Sequence, residues 1–162
     1  MKSITLLSFL LLTFSCGDSA DDKDGLSIIE QPLEGTINGE SFTFVHGIAT
    51  MDDKQGTVFV TLLPVAASDT SDCSIPFDYK GPRILFIRKP EVGGSALTFE
   101  KNVTFSYETP EAFQNDVALT GEWRFDFVDD NVIKGALAAT TDGHEVNGTF
   151  ELTRCPDPFA NF

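Results

Sequence analysis

Residues 117–128 read VALTGEWRFDFV, and this stretch decides the fold because its side chains alternate in character. One side of the alternation carries Leu119, Gly121, Trp123, Phe125 and Phe127, and the other carries Glu122, Arg124 and Asp126. A period of two is typical of a β-strand that buries one face and exposes the other. The pattern predicts a strand with Trp123 on the core side, in a structural role and not as an exposed platform for stacking on a sugar.

The rest of the domain follows the same pattern, because alternation and turn signals recur and helical periodicity does not. Asn38-Gly39 and Asp142-Gly143 are two-residue hairpin signals. Further strands are predicted over residues 33–37, 41–49, 57–63, 83–89, 102–108, 132–141 and 145–154. About eight strands with mostly short connections favour an all-β fold, either an antiparallel β-sandwich or a flattened β-barrel.

Some segments carry expectations of their own. Residues 83–89 contain the run ILFI without alternation, which is typical of a central strand covered on both faces. Residues 90–95 are expected to turn the chain. Residues 109–116 are the one segment whose sequence suits a helical turn, since Pro110 is compatible with a first turn. In the last strand, alternation places Asn147 on the outer side.

Composition limits the classes of function. The chain has 162 residues, with 11 Lys and Arg against 25 Asp and Glu, and a net charge of −14. This surplus argues against binding to nucleic acid or to an anionic membrane face, since both need basic patches. Beyond the N-terminal segments, about 130 residues remain, which is enough for one domain with a sizeable core.

The N-terminus reads as a targeting segment. Lys2 supplies a positive charge, and residues 4–14 form an apolar run shorter than the ~20 residues that span a bilayer. The run ends in LTFSC at residues 12–16, which resembles the lipobox of bacterial lipoproteins. The resemblance implies cleavage after Ser15, acylation of Cys16 and attachment to the membrane through the acyl chains. An ordinary secretory signal cleaved near Ser15 is the alternative.

Residues 17–25 hold four aspartates and no large apolar side chain, so they are expected to form a flexible tether. An acidic tract directly after a lipidated cysteine resembles the surface-export signal of Bacteroidota lipoproteins, which implies a location on the outer membrane at the cell surface. Asp18-Ser19-Ala20 is similar to the O-glycosylation sequon of these bacteria, which makes Ser19 a candidate glycan acceptor. The expected division is a signal peptide (1–15), a lipidated tether (16–31) and one all-β domain (32–162).

The C-terminal meander resembles the closing part of a group of small secreted bacterial β-domains. These domains end in a strand with the pattern apolar-x-Gly-x-Phe followed by a terminal cysteine, which corresponds here to residues 146–150 and Cys155. The resemblance covers about a quarter of the chain. It implies no activity.

Cysteine usage predicts one disulfide. With Cys16 assigned to the anchor, Cys73 and Cys155 remain in an exported domain, where two cysteines most often pair. The alternative is a catalytic Cys73 that uses His46 or His144 as its base. Neither histidine has a recognisable motif around it, so the Cys73–Cys155 pair is favoured.

Metal and cofactor sites are not expected. Asp52-Asp53 and Asp129-Asp130-Asn131 lack the alternate spacing of a calcium loop, and both suit turns. The two histidines stand far apart in sequence, which argues against zinc, and no helix follows Gly93-Gly94, which argues against a phosphate-binding loop. No catalytic, metal-binding or cofactor-binding residue is predicted.

The resulting interpretation is a non-enzymatic module, held at the outer membrane by the lipid on Cys16, that binds or displays an unidentified protein or glycan partner. The 15 phenylalanines motivate an alternative, a small β-barrel carrier of an apolar ligand. An envelope hydrolase is a further alternative. A Phe-lined cavity would favour the carrier, and a packed interior would favour the tethered module. A cleft that gathers His46 or His144 with carboxylates would favour the hydrolase.

Overall fold

The computed structural model describes residues 26–67, 72–76 and 78–157, so Cys16, Ser19 and the predicted signal peptide lie outside the described residues. The described chain is all-β, with 60% strand and no helix. Its strands are β1 (Glu34–Ile37), β2 (Glu40–Thr43), β3 (His46–Asp52), β4 (Thr57–Leu63), β5 (Arg83–Arg88), β6 (Gly93–Ala96), β7 (Val103–Glu108), β8 (Phe113–Ala118), β9 (Thr120–Val128), β10 (Val132–Thr141) and β11 (His144–Cys155).

The strands form one curled sheet with the shape of a half-barrel. Nine of them follow the order β6-β9-β10-β11-β3-β4-β5-β7-β8, and the hairpin of β1 and β2 is attached through β1 to β11. The predicted all-β fold is confirmed, and a curled sheet of this kind is consistent with a sandwich or a flattened barrel.

Strand β11 is the longest element, and both of its edges are used. One edge pairs with β10 in antiparallel orientation, from Val132 opposite Thr153 to Thr141 opposite His144. The other edge pairs first with β1 and then, over residues 153–155, with β3 in parallel orientation. Its 12 residues are long enough for both partners, which joins the hairpins on either side into one sheet.

Aromatic rings occupy the centre of the core. The centroid of the Phe125 ring lies 6.4 Å from that of Phe86 and 6.5 Å from that of Phe150, and Phe86 lies 6.2 Å from Phe150. Phe44 packs edge-on against Phe150 at 6.5 Å. Each buried ring contributes roughly 1.5–3 kcal/mol through the hydrophobic effect. These phenylalanines therefore fill the interior by contact with one another.

Both predicted hairpins are present. Asn38 and Gly39 have φ values of 52° and 76°, as a type I′ turn between β1 and β2 requires. In the turn between β10 and β11, Gly143 has a φ of 76°, whereas Asp142 does not enter the left-handed region. The register continues directly from both turns into the strands, so the turn residues fix which side chains face inward.

The described residues form eleven strands instead of about eight because two predicted strands are split and one was missed. Residues 41–49 break at Phe44 and Val45 into β2 and β3, and residues 117–128 break at Leu119 into β8 and β9. The break at Leu119 separates a strand that pairs with β7 from one that pairs with β10 and β6. Leu119 is 47% exposed, so its predicted place on the core side is wrong.

The core side of β9 also ends earlier than predicted. Opposite β10, Lys134 pairs with Phe127 but Gly135 pairs with Phe125, so Asp126 is an extra residue in a β-bulge. The bulge inverts the alternation, and Phe127 is 45% exposed. Trp123 and Phe125 precede the bulge and are buried, as predicted.

Strand β5 is not covered on both faces, and this prediction is wrong. Ile84, Phe86 and Arg88 point into the interior, whereas Ile87 is 56% exposed. The outer face remains in contact with solvent because the half-barrel places no second layer over it. The segment predicted as a turn, residues 90–95, contains the start of β6 at Gly93.

Residues 109–116 form no helical turn. Pro110 lies in a tight connection in which the Thr109 backbone N–H donates to the Ala112 carbonyl, at 2.8 Å. The chain then enters β8, which pairs with β7 from Phe113 onward. Pairing with β7 satisfies more backbone groups than a single helical turn would, so tertiary context overrides the local preference.

Asn147 is buried, not exposed, because its side chain binds the segment that precedes β1. Its Nδ2 donates to the Ser27 carbonyl at 2.9 Å, and its Oδ1 accepts the Ile29 backbone N–H at 2.8 Å. The Ile28 backbone N–H donates to Glu122 Oε1 at 3.0 Å. The residues just before the first strand are therefore held against β9 and β11.

Cys73 and Cys155 form a disulfide with Cα atoms 5.7 Å apart. The bond joins the long connection between β4 and β5 to the last residue of β11 and spans 82 positions of sequence. The predicted cysteine pair is confirmed, and Cys73 is not a free thiol that could act as a nucleophile.

Candidate functional site

A pocket of about 510 Å³ lies where the start of β4 and the end of β5 approach β6 and β9. We call it the Arg88 pocket. It is lined by Thr57, Ile87, Arg88, Lys89, Glu91, Val92, Gly93, Gly94, Lys101 and Trp123. Gly94 shapes its wall, because a Cβ atom there would collide with the backbone of Trp123 and push β6 away from β9.

Arg88 contributes a buried positive charge to this pocket, since only 5% of the residue is exposed. Nη1 donates to the Ile87 carbonyl at 2.7 Å, and Nη2 donates to the carbonyls of Lys101 and Asn102 at 2.9 and 3.1 Å. No carboxylate forms an ion pair with Arg88 in the described ranges, and its Nε is buried without a hydrogen-bond partner.

Burial lowers the pKa of Arg88 to about 10, because removal from water disfavours the charged form. That value still lies well above neutral pH, so the guanidinium stays protonated. The Arg88 pocket thus contains a permanent cation that the described protein does not neutralise.

Two aromatic rings fix the position of this cation. Cζ of Arg88 lies 4.6 Å from the centroid of Trp123 and 5.2 Å from that of Phe86. Such cation–π contacts contribute about 0.5–2 kcal/mol each, with the larger values in desolvated sites. Trp123 is itself held by a hydrogen bond from Nε1 to Ser95 Oγ, at 3.2 Å, and by edge-on contact with Phe125. Trp123 therefore belongs both to the core and to the wall of the pocket.

The remaining lining combines positive charge with exposed apolar surface. Lys89 and Lys101 are exposed and form no ion pair within the described part of the chain, and Glu91 is the one acidic residue in the lining. Ile87 and Val92 present apolar side chains at the surface. The Arg88 pocket can therefore hold a ligand both by charge and by apolar contact.

A second polar constellation joins β7, β8 and β11. Asp116 Oδ2 accepts a hydrogen bond from the Tyr107 hydroxyl at 2.7 Å and lies 2.8 Å from His144 Nε2. His144 Nδ1 accepts the Asn38 backbone N–H at 2.9 Å, so the ring proton resides on Nε2 and is donated to Asp116. The His144 ring also stacks on Phe105, with centroids 5.2 Å apart.

The hydrogen bond from Tyr107, followed by that from His144, lowers the pKa of Asp116. The same bond raises the pKa of the Tyr107 hydroxyl, because its proton is shared with a carboxylate. The constellation connects β8, at one end of the sheet, to β11, near its centre.

This constellation brings one predicted histidine together with a carboxylate, which is the arrangement that a hydrolase would need. However, both ring nitrogens of His144 are already engaged, and the residue is only 5% exposed. No hydroxyl or thiol of the described residues hydrogen-bonds to its ring in the position of a nucleophile. A base with no free nitrogen cannot accept a proton from a substrate.

The other candidate residues of the sequence have structural roles. Asp52 accepts the backbone N–H groups of Lys54 and Gln55, and Asp129 accepts those of Asn131 and Val132, as turn residues do. His46 Nε2 is buried without a partner. No group of three or more His, Cys, Asp or Glu within residues 26–67, 72–76 and 78–157 is placed to hold a metal ion.

Sequence reasoning did not find Arg88 or the two lysines. A signal for Arg88 exists, because Ile84, Phe86 and Arg88 occupy alternate positions and would share the inner face of a strand. The apolar run ILFI obscured this alternation, because it suggests that the strand is buried on both faces. Lys89 and Lys101 carry no local signal, since the fold alone brings their loops together.

Comparison with known proteins adds no assignment: no family model, curated protein or solved structure matches the chain. Within the described residues there is no helix long and apolar enough to cross a membrane.

Proposed function

We propose that the protein is a lipid-anchored, non-enzymatic binding module of the outer membrane, exposed at the cell surface, and that the Arg88 pocket is its binding site. The observation that carries the binding role is the buried guanidinium of Arg88, which forms no ion pair with a carboxylate of the described residues. Burying a charge without a counter-charge is costly, and groups of this kind cluster at functional sites. The lipobox-like residues 12–16 and the acidic tract after them support the anchor and the location.

The composition of the lining supports binding rather than catalysis. Among the residues that the structure describes, the lining contains no histidine or cysteine, and Thr57 is its only hydroxyl side chain. No pair of nucleophile and oriented base is therefore available among the residues that form the pocket.

The packing of the phenylalanines favours this proposal over a carrier of an apolar ligand. Phe86, Phe125 and Phe150 contact one another in the core, and no phenylalanine of the described residues lines the Arg88 pocket. Phe44 and Phe150 border only an open surface groove that they share with charged residues such as Lys134 and Glu151. A carrier would line its cavity with these rings instead of filling the interior with them.

The anchor is tested by feeding cells an alkyne fatty acid and comparing the wild type with Cys16→Ser. We expect the wild type to be labelled and recovered with membranes, and the variant to be unlabelled. A double variant, Cys73→Ser with Cys155→Ser, is the matched control, because it removes two cysteines and keeps Cys16. Equal labelling of wild type and Cys16→Ser would refute the anchor, and proteolysis of intact cells would report whether the protein is surface-exposed.

A further inference from the structure

We propose that the Arg88 pocket binds small organic anions, molecules that present one carboxylate or phosphate on an apolar or ring-shaped body. This inference rests on the proposed function, because it takes the Arg88 pocket as the binding site and names the class of its ligand.

Positive charge is concentrated at the Arg88 pocket. The chain has 11 Lys and Arg residues, and three of them line this one pocket together with a single acidic residue. Four others, Lys80, Arg124, Lys134 and Arg154, are paired with carboxylates. Arg88, Lys89 and Lys101 have no such partner among the described residues. In a chain of net charge −14, this leaves a local positive site that an anion would neutralise.

The guanidinium of Arg88 has hydrogen-bond donors that the described chain does not use. A guanidinium carries five N–H groups, and Arg88 uses three of them on carbonyl oxygens. The Nε–H is buried without an acceptor in the described chain, and the second Nη1–H is the donor that remains for an anion in the pocket. Contact with Trp123 and Phe86 holds the guanidinium in one orientation, so an anion would meet a cation that is already positioned.

The volume of the pocket and its apolar rim suit a small organic molecule. A volume of about 510 Å³ falls in the range of small-molecule sites, ~300–1,000 Å³. Ile87 and Val92 offer apolar surface next to the cations, which a bare inorganic ion could not use. The lining therefore fits an anion that carries a carbon body.

The net charge also restricts the size of the ligand. A polyanion such as nucleic acid would approach the many acidic side chains as well as the pocket, and it would be repelled by them. A small anion experiences mainly the charges within about 10 Å, because salt screens the more distant ones. The pocket can thus select a compact anion on a protein that is negative overall.

The sole tryptophan provides the test, because Trp123 lines the pocket. The mature full-length chain with Cys16→Ser is titrated with octanoate and glucuronate, and with their neutral counterparts octanol and glucose. We expect at least one of the two anions to change Trp123 emission in a saturable way. Its neutral counterpart should bind at least about tenfold more weakly, since charge-assisted contacts are lost. The two anions distinguish an acyl chain from an acidic sugar as the source of the carboxylate.

Variants connect the signal to the pocket. Lys89→Gln with Lys101→Gln changes two exposed side chains, and we expect it to weaken anion binding several-fold without affecting the fold. Lys80→Gln with Lys134→Gln makes the same change in net charge outside the pocket and should leave the affinity unchanged. Arg88→Met should reduce the affinity about tenfold or more, because it removes the central cation.

Two results would overturn the inference. If octanol or glucose binds as tightly as its anionic counterpart, and the Lys89 and Lys101 changes have no effect, the pocket is a binding site but not one for anions. If none of the four probes changes Trp123 emission, the ligand class is wrong. Neither result bears on the anchor, which labelling of Cys16 tests independently.

Discussion

Arg88 combines a costly burial with contacts that stabilise it only in part. Three hydrogen bonds to carbonyls and two ring contacts offset some of the desolvation of its charge, but no carboxylate completes the compensation in the described chain. Replacing a buried ion pair by apolar side chains of similar volume is often neutral for stability, and an arginine without a partner charge costs more to bury than a paired one. An arginine at this position is therefore better explained by a ligand than by folding.

The first prediction follows from that argument. We expect Arg88→Met to lower the free energy of unfolding by about 1–2 kcal/mol, because the loss of two ring contacts and three hydrogen bonds is partly offset by removal of the buried charge. Phe86→Ala, on the same inner face, should cost about 3–5 kcal/mol. Urea denaturation measures both. A loss above about 3 kcal/mol in Arg88→Met would show that the arginine is held for structure.

The second prediction concerns the hydrogen bonds of Asp116 with Tyr107 and His144. The pKa of Asp116 is lower in the folded protein than its usual value of 3.8, chiefly because of the bond from Tyr107. The stabilisation is therefore fully present above that usual value and is lost as the pH falls through the lower folded pKa.

Asp116→Asn keeps the shape of the side chain and removes this titration. We expect a stability difference between wild type and variant that is constant above about pH 5 and shrinks between about pH 4 and 2. The urea midpoints of wild type and Asp116→Asn, measured across this pH range, report the difference. A difference that stays the same at acid pH would mean that the Asp116 carboxylate gains nothing from Tyr107 or His144.

At the scale of the strand, the bulge in β9 is the feature that decides which aromatic side chains are buried. Trp123 and Phe125 lie on one side of the bulge and face the core, whereas Phe127 lies beyond it and faces solvent.

The third prediction compares two positions of the same strand. Trp123→Ala should lower the free energy of unfolding by about 3–5 kcal/mol, and Phe127→Ala by less than about 1 kcal/mol. Similar losses at both positions would contradict the bulge.

The same strands show what a sequence can and cannot predict. Residues 57–63 and 132–141 match β4 and β10 residue for residue, because strict patterning or a clear turn marks each end. The bulge at Asp126 has no local signature, since alternation continues through it in the sequence. Strand β6 consists of Gly93, Gly94 and two small residues, and it exists only because β9 offers an edge. Features that depend on a distant partner are therefore the ones that the sequence does not indicate.

The Arg88 pocket follows the same rule. Its walls come from β4, β5, β6, β9 and the loop before β7, which meet only after the sheet curls. The alternate positions of Ile84, Phe86 and Arg88 carry a signal that was obscured by the run ILFI, and nothing local joins Arg88 to Trp123. In contrast, the Cys73–Cys155 pair was predictable, because its evidence was a count of cysteines and a compartment, not a contact.

For the molecule as a whole, the disulfide joins a long loop to the end of the central strand. The fourth prediction is that Cys73→Ser with Cys155→Ser lowers the free energy of unfolding by about 4 kcal/mol, the chain-entropy value for a loop of this length. Real losses are often smaller, so a drop of at least about 2 kcal/mol supports the account. Two free thiols titrated in the unfolded, unreduced wild type would contradict the pairing itself.

The net charge of −14 makes most of the molecular surface negative. Most of the surface repels anions and disfavours attachment to an anionic membrane surface by charge, which agrees with the proposed lipid on Cys16. Within this negative surface, the Arg88 pocket is a local exception. A module of this kind would remain apart from polyanions at the envelope and still accept a compact anion.

The most direct measurement is nitrogen–proton NMR of the arginine side chains in the mature chain with Cys16→Ser. The sequence has four arginines, so the Nε–H signal of Arg88 can be identified by comparison with Arg88→Met. This Nε–H is buried and belongs to the same planar guanidinium as the Nη1 group, so its signal should report a charge placed beside that group. We expect saturable shifts of the Arg88 signal with octanoate or glucuronate, smaller shifts with octanol or glucose, and no change at Arg124 and Arg154. An Arg88 signal that stays in place while the anion shifts other residues would contradict the account.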